Sequence, residues 1–182
     1  MLSISTSYLE QFVPSRDLEG GVSEQEPNSR GTIAVGSDDA GYPLRVLVEQ
    51  HLRDLGYAVD VYGPPQAGDV IDYPDVAVDV ATRVAAGRYD RAILVCGTGI
   101  GMAIAANKVP GVRAAQAADA YSAERARKSN NAQVLALGAR TLGPEHAMTI
   151  VDHWLKSEFE GGRSAPKVAK LEALDRQTNT DR

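Results

Sequence analysis

The sequence predicts an α/β fold: one domain of three layers, with helices on both faces of a central parallel sheet. Short apolar runs of β type alternate with helical patterns of about ten residues, and that alternation favours parallel strands joined by crossover helices. The run in RAILVCGTGIG is wholly apolar, as a strand covered on both faces must be. With 182 residues, 43% hydrophobic and 24% charged, the chain has enough apolar material for one sizeable core.

The elements follow in order. Met1 to Arg30 mix Ser, Glu, Gly and Pro without sustained periodicity, so residues 1–30 are expected to form a flexible N-terminal tail, with a misassigned start or a partner-binding arm as the alternatives. The domain is expected over residues 31–176, with 177–182 as a C-terminal tail. TIAVGSDD reads as a strand ending in a polar loop. Tyr42 to Leu55 then carries Leu44, Leu47, Val48, Leu52 and Leu55 at the spacing of a buried helix face, closed by Gly56. AVDVYG is a second strand. A helix from Tyr73 to Ala86 is entered at Pro74 and stopped by Gly87. The apolar strand ending at Cys96 runs through a glycine-rich turn into another helix. Val112 to Ala117 and Val134 to Gly138 supply two more strands around a helix from Tyr121 to Lys128, and Glu145 to Lys156 and Pro166 to Leu174 close the domain as helices.

Composition excludes several classes. Lys and Arg total 19 against 24 Asp and Glu, a net charge of −5, and the basic residues form no stripe suited to a nucleic-acid backbone. No apolar stretch approaches the ~20 residues of a membrane span, and the N-terminus lacks a basic segment leading into an apolar run. The single cysteine makes no internal disulfide, and no Cys/His cluster has zinc-ligand spacing. A reducing, cytoplasmic setting without a metal is expected.

Chemistry concentrates beyond the C-terminal strand ends, where parallel sheets bind ligands. Cys96-Gly97-Thr98-Gly99-Ile100-Gly101 closes one strand and opens a helix. Glycines there let backbone N–H groups approach an anion or a developing oxyanion. Its G-x-G-x-G spacing differs from the dinucleotide fingerprint, and no P-loop lysine follows, so a nucleotide is not expected. A cysteine ending an apolar strand is by default an inert core residue; facing such N–H groups, it gains thiolate character and can act as a base. Asp38 and Asp39 offer either a helix N-cap with solvated charge or acceptors for sugar hydroxyls. Arg163 and Lys167 are either surface charge or a phosphate clamp. The histidines His51, His146 and His153 fall on helices away from the glycine-rich turn and read as structural.

VCGTGIGMAIAANKVPGVRAA, then DAYSAERARKSNNAQVLALGAR, then FEGGRSAPKV, taken together from about Thr32 to Leu174, resemble the ribose-5-phosphate isomerase B family, which also contains galactose-6-phosphate and tetrose-phosphate isomerases. The resemblance implies a Rossmann-like fold, a homodimer or tetramer with active sites shared between subunits, a small phosphorylated sugar as substrate, and no cofactor or metal. It makes Cys96 the proton-transferring base, with Met102 standing where other members carry a glutamate base. Thr98 and the backbone of Gly97, Gly99, Ile100 and Gly101 would hold the enediolate oxygens. Asp38 would bind sugar hydroxyls, Tyr73 would line the pocket, Asn130 would match an active-site asparagine, and Arg140, Arg163 and Lys167 would face the phosphate.

The departures point to a substrate. Where the family has D-H-A-G this chain has Asp38-Asp39-Ala40-Gly41, the ring-opening histidine of ribose-type members is replaced by Ser129, and a third histidine site is Ala118. One phosphate-binding arginine is Lys167. With no histidine at positions 39, 118 or 129, the expected substrate is one that needs no ring opening, erythrulose 4-phosphate with its aldose. Ordinary ribose 5-phosphate isomerisation, with Asp39 supplying the lost acid, and a non-catalytic sugar-phosphate sensor are the alternatives.

Overall fold

The structure, a computed structural model, describes residues 31–180; the expected tail over residues 1–30 lies outside the described residues. Strand β1 (Thr32–Ser37) pairs with β2 (Ala58–Tyr62) on one side and β3 (Ala92–Cys96) on the other. β5 (Val134–Gly138) and the short β4 (Ala114–Gln116) complete a sheet of order β2-β1-β3-β5-β4, parallel throughout. Helices α1 (Tyr42–Asp54), α4 (Ala120–Lys128) and α5 (Pro144–Leu155) cover one face, and α2 (Tyr73–Ala85) and α3 (Ile100–Ala106) the other. The predicted three-layer α/β fold is the observed one.

The two-residue strand period builds both cores. Ile33, Val35, Ile93, Val95, Leu135 and Leu137 point to the α1/α4/α5 layer, while Ala34, Ala92, Leu94 and Ala136 point to the α2/α3 layer. The second set is richer in alanine, so α2 and α3 sit close to the sheet with their own alanines and valines against it. Trp154 on α5 is fully buried, and burying a large apolar side chain of this kind contributes about 1.5–3 kcal/mol. Arg91 stacks on its ring and donates to the carbonyls of Trp154 and Leu155 at 3.1 and 2.8 Å, capping the C-terminal end of α5. His51 has the structural role expected of it: its Nε2 lies 2.7 Å from Asp152 Oδ1 and ties α1 to α5.

Two boundaries differ from expectation. The strand expected from Val112 to Ala117 is shorter, because the Val112 N–H turns back to Val109 O and the Arg113 N–H is taken by Gln133 Oε1. The last helix, α6 (Ala165–Thr180), runs beyond the expected end at Leu174. Leu174 is the last apolar position, but Asp175 to Thr180 contain no glycine or proline to stop the helix, and Asp175 accepts from the Gly111 N–H at 2.9 Å. The expected C-terminal tail therefore begins within this helix.

Candidate active site

The loop after β1 leads to α1 on one face of the sheet and the loop after its neighbour β3 leads to α3 on the other, and the crevice at such a switch point opens beyond the strand ends. Ser37 is in register with Val95, so Asp38 and Cys96, the next residues, emerge side by side there. Gly41 makes this approach possible. A Cβ at Gly41 would run into the Val95 carbonyl and stand 3.0 Å from Cys96 Cα, so the loop after β1 rests on the end of β3.

Cys96 is buried, and its Sγ accepts a hydrogen bond from the Gly99 N–H at 3.1 Å. Gly99 reaches that position with φ of 78°, a left-handed conformation that a side chain would resist, and a Cβ there would meet the Leu137 backbone at 2.9 Å. The Ile100 N–H points to Thr98 Oγ1 at 3.4 Å. Two amides of the glycine-rich turn are thus engaged within it, on the sulfur and on the threonine hydroxyl. Met102 is fully buried in α3, where its thioether supplies packing and no base.

The walls of this crevice come from neighbouring elements. Tyr73, at the start of α2, lays its ring over Gly101, 2.7 Å from where a Cβ would stand, and is 40% exposed. After β5, the Ala139 and Arg140 N–H groups donate to the carbonyls of Cys96 and Gly97 at 2.8 and 2.9 Å, which carries Arg140 alongside the turn. Asp38 is nearly buried and its Oδ1 accepts the Gly41 N–H at 2.7 Å. Burial pushes its carboxyl above the ordinary value of 3.8 and the Asp39 charge adds to this, while the Gly41 N–H and Arg140 pull the other way. Asp39 itself is exposed.

The raised Asp38 carboxyl has a testable consequence. The folded state holds this proton more tightly than the unfolded chain, so ionised Asp38 costs stability at neutral pH, and the cost disappears as pH falls below the unfolded value near 3.8. Asp38→Asn keeps an acceptor for the Gly41 N–H and is expected to melt at or above the wild-type temperature at pH 7, with the gain vanishing in acid. Its KM is expected to rise about tenfold through loss of a charged acceptor. Melting curves across pH and steady-state kinetics check both.

The remaining expected residues stand elsewhere in the chain. Asn130, Arg163 and Lys167 line a cleft of about 580 Å³ between the end of α4 and the start of α6, with Ser129, Ser164 and Arg125 also on its walls. A short 3-10 turn (Gly162–Ser164) sets Arg163 and Ser164 just before α6. None of Asp38, Tyr73, Cys96, Thr98 or Arg140 is on that cleft's walls. Arg140, expected with the phosphate cations, stands beside Gly97 on the Cys96 side within one chain, because the backbone after β5 ties it there. Arg125 was not singled out in the sequence; its spacing of four from Ser129 on a helix was the available signal. Among the described residues, no group of three or more His, Cys, Asp or Glu side chains is placed to hold a metal ion, and no helix is long and apolar enough to cross a membrane.

The chain is similar to known proteins over nearly the whole of this domain. A curated relative from Pectobacterium atrosepticum, D-erythrulose-4-phosphate isomerase, is 52% identical over 146 residues, covering 80% of this chain and 96% of the relative. Ribose-5-P isomerase B from Listeria innocua is 47% identical over 145 residues, covering 80% and 97%. Among solved structures, ribose-5-phosphate isomerase B of Clostridium thermocellum matches with a TM-score of 0.78 at 44% identity, covering 81% of this chain and 99% of that one. The family described as Ribose/Galactose Isomerase matches residues 33–171, and with the fold and these identities the chain belongs to that family.

Proposed function

We propose that this chain is a cofactor-independent aldose–ketose isomerase of a small sugar phosphate, with erythrulose 4-phosphate and erythrose 4-phosphate as its preferred pair. The observation that carries the reading is Cys96 held under the Gly99 amide at the sheet's switch point, beside Asp38. The Cys96 thiolate removes the proton from the carbon next to the carbonyl. The C–H electron pair becomes the C=C bond of a cis-enediolate, and the carbonyl oxygen takes the negative charge. Thr98 and the amides of Gly97 to Gly101 that are not spent inside the turn stabilise that oxygen. Returning the proton to the adjacent carbon, with the hydroxyl proton moving between the two oxygens, gives the isomer. Asp38 and Asp39 accept hydrogen bonds from sugar hydroxyls, and Tyr73 and Arg140 close the crevice. Asn130, Arg163 and Lys167 bind the far end of the substrate, the last two holding the phosphoryl group as a remote anchor.

Because the phosphate cleft and the Cys96 crevice stand on separate walls of one chain, we place them together across a homodimer or tetramer, the cleft of one subunit completing the crevice of another. Light scattering at micromolar concentration is expected to give a dimer or larger; a fully active monomer is the contrary result. The protein is placed in the cytoplasm, where its single cysteine stays reduced. The decisive experiment is a panel of tetrose, pentose and hexose phosphates in aldose and ketose forms. Interconversion of at least one pair is expected, and turnover of none would end the isomerase reading. Ribose 5-phosphate is the second reading, supported by the 47% identical relative of that name.

A further inference from the structure

The α4–α6 cleft carries a third cation. Arg125 precedes Ser129 by one helical turn, and its Nε donates to Ser129 Oγ at 3.0 Å while a terminal guanidinium nitrogen donates to the same oxygen. A hydroxyl has two acceptor lone pairs and one proton. With both lone pairs engaged by a guanidinium, Ser129 can only donate, and no described residue accepts its proton. It is therefore unable to act as a base, and toward the cleft it is a donor polarised by an adjacent positive charge.

Arg125 forms ion pairs with two acidic neighbours, but neither carboxylate hydrogen-bonds it directly. Glu124 and Glu160 stand 3.8 and 3.6 Å away, beyond hydrogen-bond distance, and Lys128 shares both at 3.3 and 3.8 Å. Neither carboxylate lines the cleft, nor does any other, whereas Arg125, Arg163 and Lys167 all do. In a chain of net charge −5, three cations around one space with no acid on its walls is a built anion site.

We propose that Arg125 is a third phosphate-binding cation of this site and that, by engaging both lone pairs of Ser129, it fixes that hydroxyl as a donor to an oxygen of the phosphate ester. The inference rests on the isomerase reading and deepens it. The Arg125–Ser129 pair suits an oxygen that accepts hydrogen bonds but exchanges no proton, which describes a phosphorylated oxygen and not one that must lose a proton in opening a ring.

The test compares Arg125→Gln with wild type in KM, kcat and competitive inhibition by inorganic phosphate. KM for the tetrose phosphate and the inhibition constant for inorganic phosphate are both expected to rise about tenfold or more, with kcat within about threefold. A merely structural role would not weaken phosphate inhibition in parallel with KM. Unchanged KM and phosphate inhibition would overturn the proposal, as would a loss confined to kcat. If Arg125→Gln fails to fold, Ser129→Ala reads the same pair: phosphate inhibition weakened by threefold or more supports it, and wild-type inhibition overturns it. Should wild type turn over no sugar phosphate, the isomerase reading fails separately, and calorimetric titration of inorganic phosphate into wild type and Arg125→Gln still decides whether Arg125 binds the anion.

Discussion

Replacement of Cys96 by serine or alanine is expected to lower kcat by about 10²- to 10⁴-fold, the range a positioned general base contributes. The sulfur sits at the end of a wholly buried strand, with the Gly99 amide directed at it and Asp38 emerging from the neighbouring strand. Serine preserves the volume and an acceptor for that amide, yet a hydroxyl offers almost no conjugate base at neutral pH. Binding is expected to survive, since the cations at Arg163 and Lys167 belong to a different wall of the fold. The phosphate inhibition constant should stay within about threefold of wild type, so that the loss falls on kcat. Exchange of solvent deuterium into the substrate carbon follows the same step and should fall with turnover. Turnover within tenfold of wild type in Cys96→Ala would remove the thiolate from the mechanism.

Much of this arrangement was legible in the sequence, and the boundary of what was legible is physical. β3 and β5 were readable because a strand buried on both faces must be apolar at every position, and both are. The glycine-rich turn was readable because a backbone that must approach a ligand, or adopt the 78° φ of Gly99, excludes side chains. The family resemblance then placed Cys96, Asp38, Tyr73 and Arg163 in order. Which strand ends are neighbours is a different kind of information. That Gly41 rests on the Val95 carbonyl depends on β1 pairing with β3, and no local pattern encodes that register. Arg140 shows the same gap: its place beside Gly97 depends on the ladder from Ala139 and Arg140 to Cys96 and Gly97, which no local pattern encodes. Helix ends failed for a simpler reason. The apolar pattern stops at Leu174, but a helix stops only where its backbone is interrupted, and α6 continues through polar residues.

The substrate preference is the sharpest consequence of what stands at three positions. A pentose 5-phosphate is mostly closed through its O4, so an isomerase acting on it must first open a ring, which calls for a group that can exchange a proton with that oxygen. In a tetrose 4-phosphate O4 is esterified and no furanose forms, so the carbonyl is free or hydrated from the start. Here Asp39 and Ala118 are exposed and carry no imidazole, and Ser129 has its lone pairs engaged by Arg125. Cys96, Thr98 and the Gly97 to Gly101 turn, to which the proposed mechanism gives the steps after ring opening, are all in place. On the proposed reading the residues for proton transfer are present and those for ring opening are not, and kcat/KM is expected to favour the tetrose phosphate over ribose 5-phosphate by at least about a hundredfold, or about 2.7 kcal/mol in the transition state. Ser129→His in an Arg125→Gln background should narrow that ratio by supplying an imidazole at the place the guanidinium now blocks. Progress curves on both substrates under matched conditions measure it, and ribose 5-phosphate turned over as well as the tetrose would assign this chain to the pentose while leaving Cys96 as its base.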